Sequence, residues 1–249
     1  MTRILIAGES WTSHTIHIKG FDTFTTSKYE EGVKWFKEAL EKNGIEVDYI
    51  PNHLAPENFP KSLDELNKYD AVFLSDIGSN TLLLTDGVFS KGVRIPNRCD
   101  LIKEYVLQGG SFAMIGGYMS FTGVDAKTRY GETSIKDILP VNLLDKDDRN
   151  EMPQGVYPNK IKEHKIFQGI DEEFPYFLGY NKTIKNEATG EVLAEINGDP
   201  FISIGKFGKG KSLVFTSDFA PHWGPKEFVE WKHYDKLWCN IVNWLAEKG

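Results

Sequence analysis

Short apolar runs alternate with helical spacings through the first half of the chain. Arg3–Ala7, Ile45–Ile50, Asp70–Asp76 and Ser111–Gly116 each read as strands. The run Ala71-Val72-Phe73-Leu74 has no polar interruption, which predicts burial on both faces. Between the strands, Ser27–Asn43 carries Val33, Phe36, Ala39 and Leu40 at helical spacing and stops at Asn43-Gly44. Ser62-Leu63-Asp64-Glu65 has the make-up of a capping box, whose hydroxyl and carboxylate satisfy free N–H groups at a helix start. Asn97–Gln108 predicts a further helix, halted by Gly109-Gly110. Alternation of this kind predicts an α/β protein, a mostly parallel sheet with helices on both faces.

The second half is less regular. Asp145–Pro158 is polar, holds Pro153 and Pro158, and predicts a long surface loop. Glu191–Ile196, Phe201–Phe207 and Ser212–Ser217 predict strands, the last two joined through Gly208-Lys209-Gly210. From about Pro225 onward, Trp231, Leu237, Trp238, Ile241, Val242 and Leu245 supply the apolar face of a C-terminal helix. With no internal repeat or break in composition, 1–249 reads as one domain.

Composition narrows the function classes. The net charge of −7 and the absence of a Lys/Arg block argue against nucleic acid. No apolar run reaches membrane-spanning length, and the N-terminal one is too short for a signal segment, so no membrane partner and a cytoplasmic location are expected. Cys99 and Cys239 are too few for a disulfide framework or a four-thiolate zinc site. No cofactor is expected, and a homo-oligomer is left open. Gly205-Lys206-Phe207-Gly208-Lys209-Gly210-Lys211-Ser212 matches the phosphate-loop pattern, but that loop must open a helix, and Leu213-Val214-Phe215 reads as strand. A hairpin turn explains these glycines better.

In an open parallel sheet ligands gather beyond the carboxyl ends of the strands. Those ends deliver Gly8-Glu9-Ser10-Trp11 with His14, His17 and Lys19-Gly20-Phe21-Asp22; Ser75-Asp76-Ile77-Gly78-Ser79-Asn80; Gly116-Gly117-Tyr118-Met119-Ser120; and Ser217-Asp218-Phe219-Ala220-Pro221-His222-Trp223. Gly116 and Ser120 flank Tyr118 at the spacing of a nucleophile elbow. A phenol is a poor acyl acceptor at neutral pH, although it can donate a proton or hydrogen bond. Asp218 and His222 are spaced to serve as orienter and base, or as two metal ligands together with His14 and His17; each lone His also has a purely structural reading. Asp147-Asp148-Arg149 is a solvated charge run or a lid, whose Arg149 could meet a carboxylate. Tyr130 and Asn181 are weaker lining candidates, and Cys99 and His233 read as structural.

These separated motifs, in this order, resemble the glutamine amidotransferase-like family of bacterial proteins related to class I glutamine amidotransferases, over nearly the whole chain. The resemblance implies a flavodoxin-like sheet core. A working glutaminase of that class has an elbow Cys and a His-x-Glu pair; this sequence has Tyr118 at the elbow and Gly224 two positions after His222. Without a thiolate no thioester forms, so glutaminase activity is not carried over. The expectation is therefore one of two. The chain is an enzyme of hydrolase or lyase type on a small polar metabolite, or a non-catalytic protein binding a small molecule or partner. In the first, Tyr118, His222 and Asp218 are catalytic, and His14, Lys19, Asp22, Asp76, Asn80, Ser120 and Arg149 hold substrate. No resident metal is assigned, and metal-dependent hydrolysis through His14, His17, Asp218 and His222 stands as a third option.

Overall fold

The computed structural model of the chain describes residues 1–247. In chain order the strands begin with β1 (Arg3–Gly8), β2 (Ser10–Lys19), β3 (Asp22–Glu31), β4 (Glu46–Ile50), β5 (Ala71–Ser75) and β6 (Ser111–Ile115). They continue with β7 (Val141–Asn142), β8 (Arg149–Val156), β9 (Asn159–Lys160), β10 (Phe177–Asn181) and β11 (Ile184–Lys185). The last are β12 (Gly190–Ile196), β13 (Asp199–Phe207) and β14 (Gly210–Phe215). The helices are α1 (Lys34–Glu41), α2 (Ala55–Asn58), α3 (Leu63–Leu66), α4 (Ser79–Leu83), α5 (Asp86–Phe89), α6 (Arg98–Gln108), α7 (Lys226–Val229) and α8 (Tyr234–Ala246).

The main sheet has eight strands in the order β4-β1-β5-β6-β14-β13-β12-β9. Pairing is parallel from β4 through β14 and antiparallel from β14 to β9. Successive strand residues face opposite sides. Ile4, Ile6, Phe73 and Ile115 accordingly join one core with Phe36 and Leu40 of α1 and Trp238 and Ile241 of α8. Leu5, Val72, Leu74 and Met114 join the other with Ile102, Tyr105 and Val106 of α6. Both faces are therefore dry, as the uninterrupted strand sequences predict. Emptying one large site such as Phe36, which is 0% exposed, would cost about 3–5 kcal/mol.

Three expectations are corrected. Ser27–Asn43 is not one helix: Ser27–Glu31 completes β3, and α1 starts only at Lys34. The apolar helical spacing begins at Val33, whereas the Thr-rich segment before it pairs residue for residue with β2. Asp145–Pro158 is not all loop, because Arg149–Val156 forms β8 against β10. The C-terminal helix is two, α7 and α8, with residues 230–233 between. The phosphate-loop look-alike is the β13–β14 hairpin, with Gly208 at φ 59°. Lys211 is buried and donates to the carbonyls of Trp244 (2.8 Å) and Glu247 (2.5 Å), so it caps the end of α8 instead of meeting a phosphate.

Candidate functional site

The carboxyl ends of β1, β5, β6 and β14 lie side by side, and the residues just past them converge. Glu9 (φ 49°) and Asp76 (φ 46°) both take left-handed backbone, which costs a non-glycine residue on the order of 1 kcal/mol or more and persists only where packing enforces it. That turn aims both carboxylates inward, toward Asp218. Gly117, at φ 144°, completes the floor: a Cβ there would lie 2.8 Å from Asp76 Oδ1 and 3.0 Å from Asp218 Oδ1. Only glycine admits both carboxylates so near the chain.

Three buried carboxyl groups so close together oppose one another's ionisation. Glu9 is pushed furthest up, by burial first and then by the charges of Asp218 and Asp76, against the 2.6 Å bond donated by Ser75 Oγ. Burial and Asp218 push Asp76 up to about 6, opposed by the Met119 N–H. Asp218 is also raised by burial, opposed chiefly by His222.

The His222 Nδ1 lies 3.1 Å from Asp218 Oδ2, which also accepts from the Trp223 N–H at 3.1 Å. When Asp218 is ionised its carboxylate only accepts, and Nδ1 then carries the hydrogen and leaves Nε2 free. Burial alone would lower the His222 pKa, but Asp218, Glu151 and Asp76 outweigh it and hold the pKa above the ordinary value. The His222 side chain is 47% exposed, so its free edge meets solvent. Tyr118 packs edge-on against the imidazole at 4.5 Å between ring centroids and donates to Glu151 Oε1 at 2.8 Å. Trp223 Nε1 fixes the other Glu151 oxygen at 3.0 Å. Burial and Glu151 together raise the phenol pKa, so it stays protonated at neutrality.

The elbow backbone is occupied. In a nucleophile elbow the N–H after the nucleophile stabilises the oxyanion; here the Met119 N–H points at Asp76 Oδ1, at 2.6 Å. Gly117 N–H donates to Asn181 Oδ1 (2.9 Å), and Asn181 Nδ2 returns bonds to Gly117 O (3.1 Å) and Asp148 Oδ1 (2.8 Å). Asp148 also accepts from the N–H groups of Thr122 and Gly123. Burial pushes Asp148 up to about 6, and these donors hold it down. Left-handed backbone falls on Gly117 and not on Tyr118, so the phenol is not the strained apex of the turn.

The structure thus brings Tyr118, His222, Asp218 and Asp76 together. Ser120 lies beneath them, buried, with its Oγ accepting from the Asp76 N–H at 3.0 Å. Arg149 reaches the same region, its guanidinium 4.9 Å above the Tyr118 ring, but its fork is already engaged with Asp147 at 2.7–3.2 Å. Asn80 is exposed on α4 and its side chain bonds to none of the cluster. His14, Lys19 and Asp22 are elsewhere: they stand on the β2–β3 hairpin, not on a loop at the rim. His14 bonds to Ser27 and His17 to Thr26, so the His14, His17, Asp218, His222 set is not assembled. Among the described residues no group of three or more His, Cys, Asp or Glu is arranged to hold a metal ion. Tyr130 is fully buried, donating to Ile77 O. Cys99 sits in the core at the start of α6 and Cys239 on α8, each thiol pushed up to about 11 by burial. Sequence reasoning left Glu9, Glu151 and Trp223 without a role. Glu9 had a usable signal, an acid directly after a strand-ending glycine; Glu151 had none, because its strand resembled a charged loop.

Comparison with known proteins shows the family and the fold. Residues 3–247 match the GATase1_like family, described as "Putative glutamine amidotransferase", and the chain belongs to that family. It is similar to the cytoplasmic protein STM3548 from Salmonella typhimurium, at 45% identity and a TM-score of 0.95 over 98% of this chain and 99% of that one. It is equally similar to the cytoplasmic protein STM1381 from Salmonella typhimurium LT2, at 47% identity and TM-score 0.95, covering 99% and 100%. A ThuA-like protein from Bacteroides uniformis shares the fold at 12% identity and TM-score 0.57, over 98% of this chain and 91% of that one. No curated protein matches the sequence. No helix among the described residues is long and apolar enough to cross a membrane.

Proposed function

We propose that this chain is an acid–base enzyme of hydrolase or lyase type, acting on a small polar metabolite and not hydrolysing glutamine. In this reading 1–249 is one flavodoxin-like domain working in the cytoplasm; the strand order β4-β1-β5-β6-β14 and the cytoplasmic relatives support it. The observation that carries the proposal is the 2.6 Å bond from the Met119 N–H to Asp76. The donor an acyl-transfer intermediate would need is bound to the protein's own carboxylate, and Tyr118 replaces the thiolate that would form the intermediate. What remains suits proton transfer. His222, oriented by Asp218, takes a proton at Nε2; Tyr118, held by Glu151, donates one or binds a substrate oxygen. Asp76 and Ser120 position these groups, and Arg149 buttresses the phenol.

Screening metabolites by thermal shift finds candidates, because a ligand at about 100 times its Kd adds roughly 2.7 kcal/mol of stability. A hit consumed over time, with turnover falling by at least about 100-fold in His222→Ala and Tyr118→Phe, is the expected outcome. Full turnover in both variants, or steady release of ammonia from glutamine, would overturn the proposal. The non-catalytic alternative draws support from a cavity of about 560 Å³ lined by Thr122, Arg129, Lys136 and Asp145, which includes neither Tyr118 nor His222. It predicts a ligand that binds and is never consumed.

A further inference from the structure

Strands β2 and β3 form an arm of ten residues per strand, turned by Gly20-Phe21, that among the described residues pairs with no other strand. Beyond Ser10 its residues are exposed or at most partly covered. A lone two-stranded hairpin is marginal in water, since each ordered residue costs about 1–2 kcal/mol of backbone entropy and neither face returns burial. An arm of this length, roughly 30 Å at about 3.3 Å per residue, implies a surface that covers it.

We propose that this surface is a second copy of the chain: two arms lie antiparallel about a two-fold axis, and each tip seats against the base of the other. Two features select that occupant. Apolar side chains concentrate toward the tip, with Ile16 68%, Ile18 72% and Phe21 107% exposed, while Leu54, Leu84 and Phe89 are 43%, 43% and 79% exposed on the elements that follow β4 and β5. Leu54 adjoins His53, which packs edge-on against Tyr29 at the arm's base. Within one chain the tip and base stand at opposite ends of the arm, whereas an antiparallel partner brings them together. Finally, the free edges are rich in Thr and Ile, and open edges of this composition pair with another strand.

The overlap has a consequence for the site. Asn52 Nδ2 bonds both to Ser10 O at the arm's base (2.6 Å) and to Asp76 O (3.0 Å). A partner tip at that base therefore brings its Lys19 and Phe21 to the rim beside Asp76. The interface stands whether or not the acid–base reading does.

Light scattering on the intact chain at micromolar concentration is expected to give twice the monomer mass. Ile16→Asp/Ile18→Asp/Phe21→Asp, all exposed in the single chain, should weaken the dimer at least about tenfold with an unchanged circular-dichroism spectrum. Under oxidation Lys19→Cys/Glu30→Cys should run as a covalent dimer; the two positions lie at opposite ends of the same arm, so the bridge can form only between chains. A monomeric intact chain, a triple variant that dimerises as well as the intact chain, or no covalent dimer would each overturn the proposal.

Discussion

Replacing Asn181 with Ala probes how the elbow is held. Asn181 is 0% exposed and spends its side chain on three bonds, to Gly117 N–H, Gly117 O and Asp148 Oδ1. The first loss strands a buried backbone donor, at about 1–3 kcal/mol, whereas Gly117 O keeps a 3.3 Å bond from the Ser120 N–H. The third removes a donor from a buried carboxylate, which is worth about 1.5–3 kcal/mol. Because the carboxylate keeps its Thr122 and Gly123 donors and the backbone can relax, the expected loss is about 2–4 kcal/mol, around the top of the usual range for one substitution. For a chain of this size that lowers Tm by roughly 10 °C. Denaturant unfolding measures it directly. Asn181→Asp separates the hydrogen-bond account from a cavity account. It keeps the shape and the acceptor for Gly117 N–H, but sets a second carboxyl group against Asp148. The two must share a proton, so stability relative to the unsubstituted chain should recover on acidification. A loss under about 1 kcal/mol in the Ala variant, or an Asp variant whose deficit does not change with pH, would refute the reasoning.

Three further outcomes are expected. Asp218→Asn removes the main partner raising the His222 pKa, so that pKa should fall, as read by NMR titration of the imidazole; an unchanged value would mean that the bond does not set it. Asp148, at about 6 when folded and about 3.9 when unfolded, binds more protons in the native state between those values. Its contribution to stability is therefore present at low pH and lost as pH rises through the folded pKa. Relative to Asp148→Asn, the chain should lose about 2–3 kcal/mol between about pH 4 and pH 7, measured by denaturant midpoints. Lys211→Met uncaps α8 and should cost about 1 kcal/mol in thermal unfolding while leaving nucleotide binding undetectable by calorimetry; tight ATP binding that the substitution abolishes would restore the phosphate-loop reading.

The parts of the fold that sequence revealed are those in which burial dictates composition. Strands such as Ala71–Ser75 lie between two cores and permit nothing polar, so their pattern is unmistakable. Convergence at the strand ends followed from that, and Asp76, Tyr118, Asp218 and His222 do meet there. The arm was misread because it is uncovered. Its Thr-rich alternation with a Gly turn is a hairpin signal, but with no buried face it looks like a loop leading into a helix. His14, Lys19 and Asp22 were therefore placed at the rim by order along the chain, when they lie out along an arm. Glu151 was missed for a related reason: β8 pairs only with β10, so no apolar alternation marks it as strand.

The crowding of Glu9, Asp76 and Asp218 makes the floor of the site hold hydrogen ions more tightly than free carboxylates do. A positively charged guest settling over it would loosen that hold and drive hydrogen ions into the medium, whereas a neutral guest would not. Calorimetric binding heats collected in phosphate and in Tris would differ in the first case and agree in the second. The charge of an unknown substrate can thus be read before its identity.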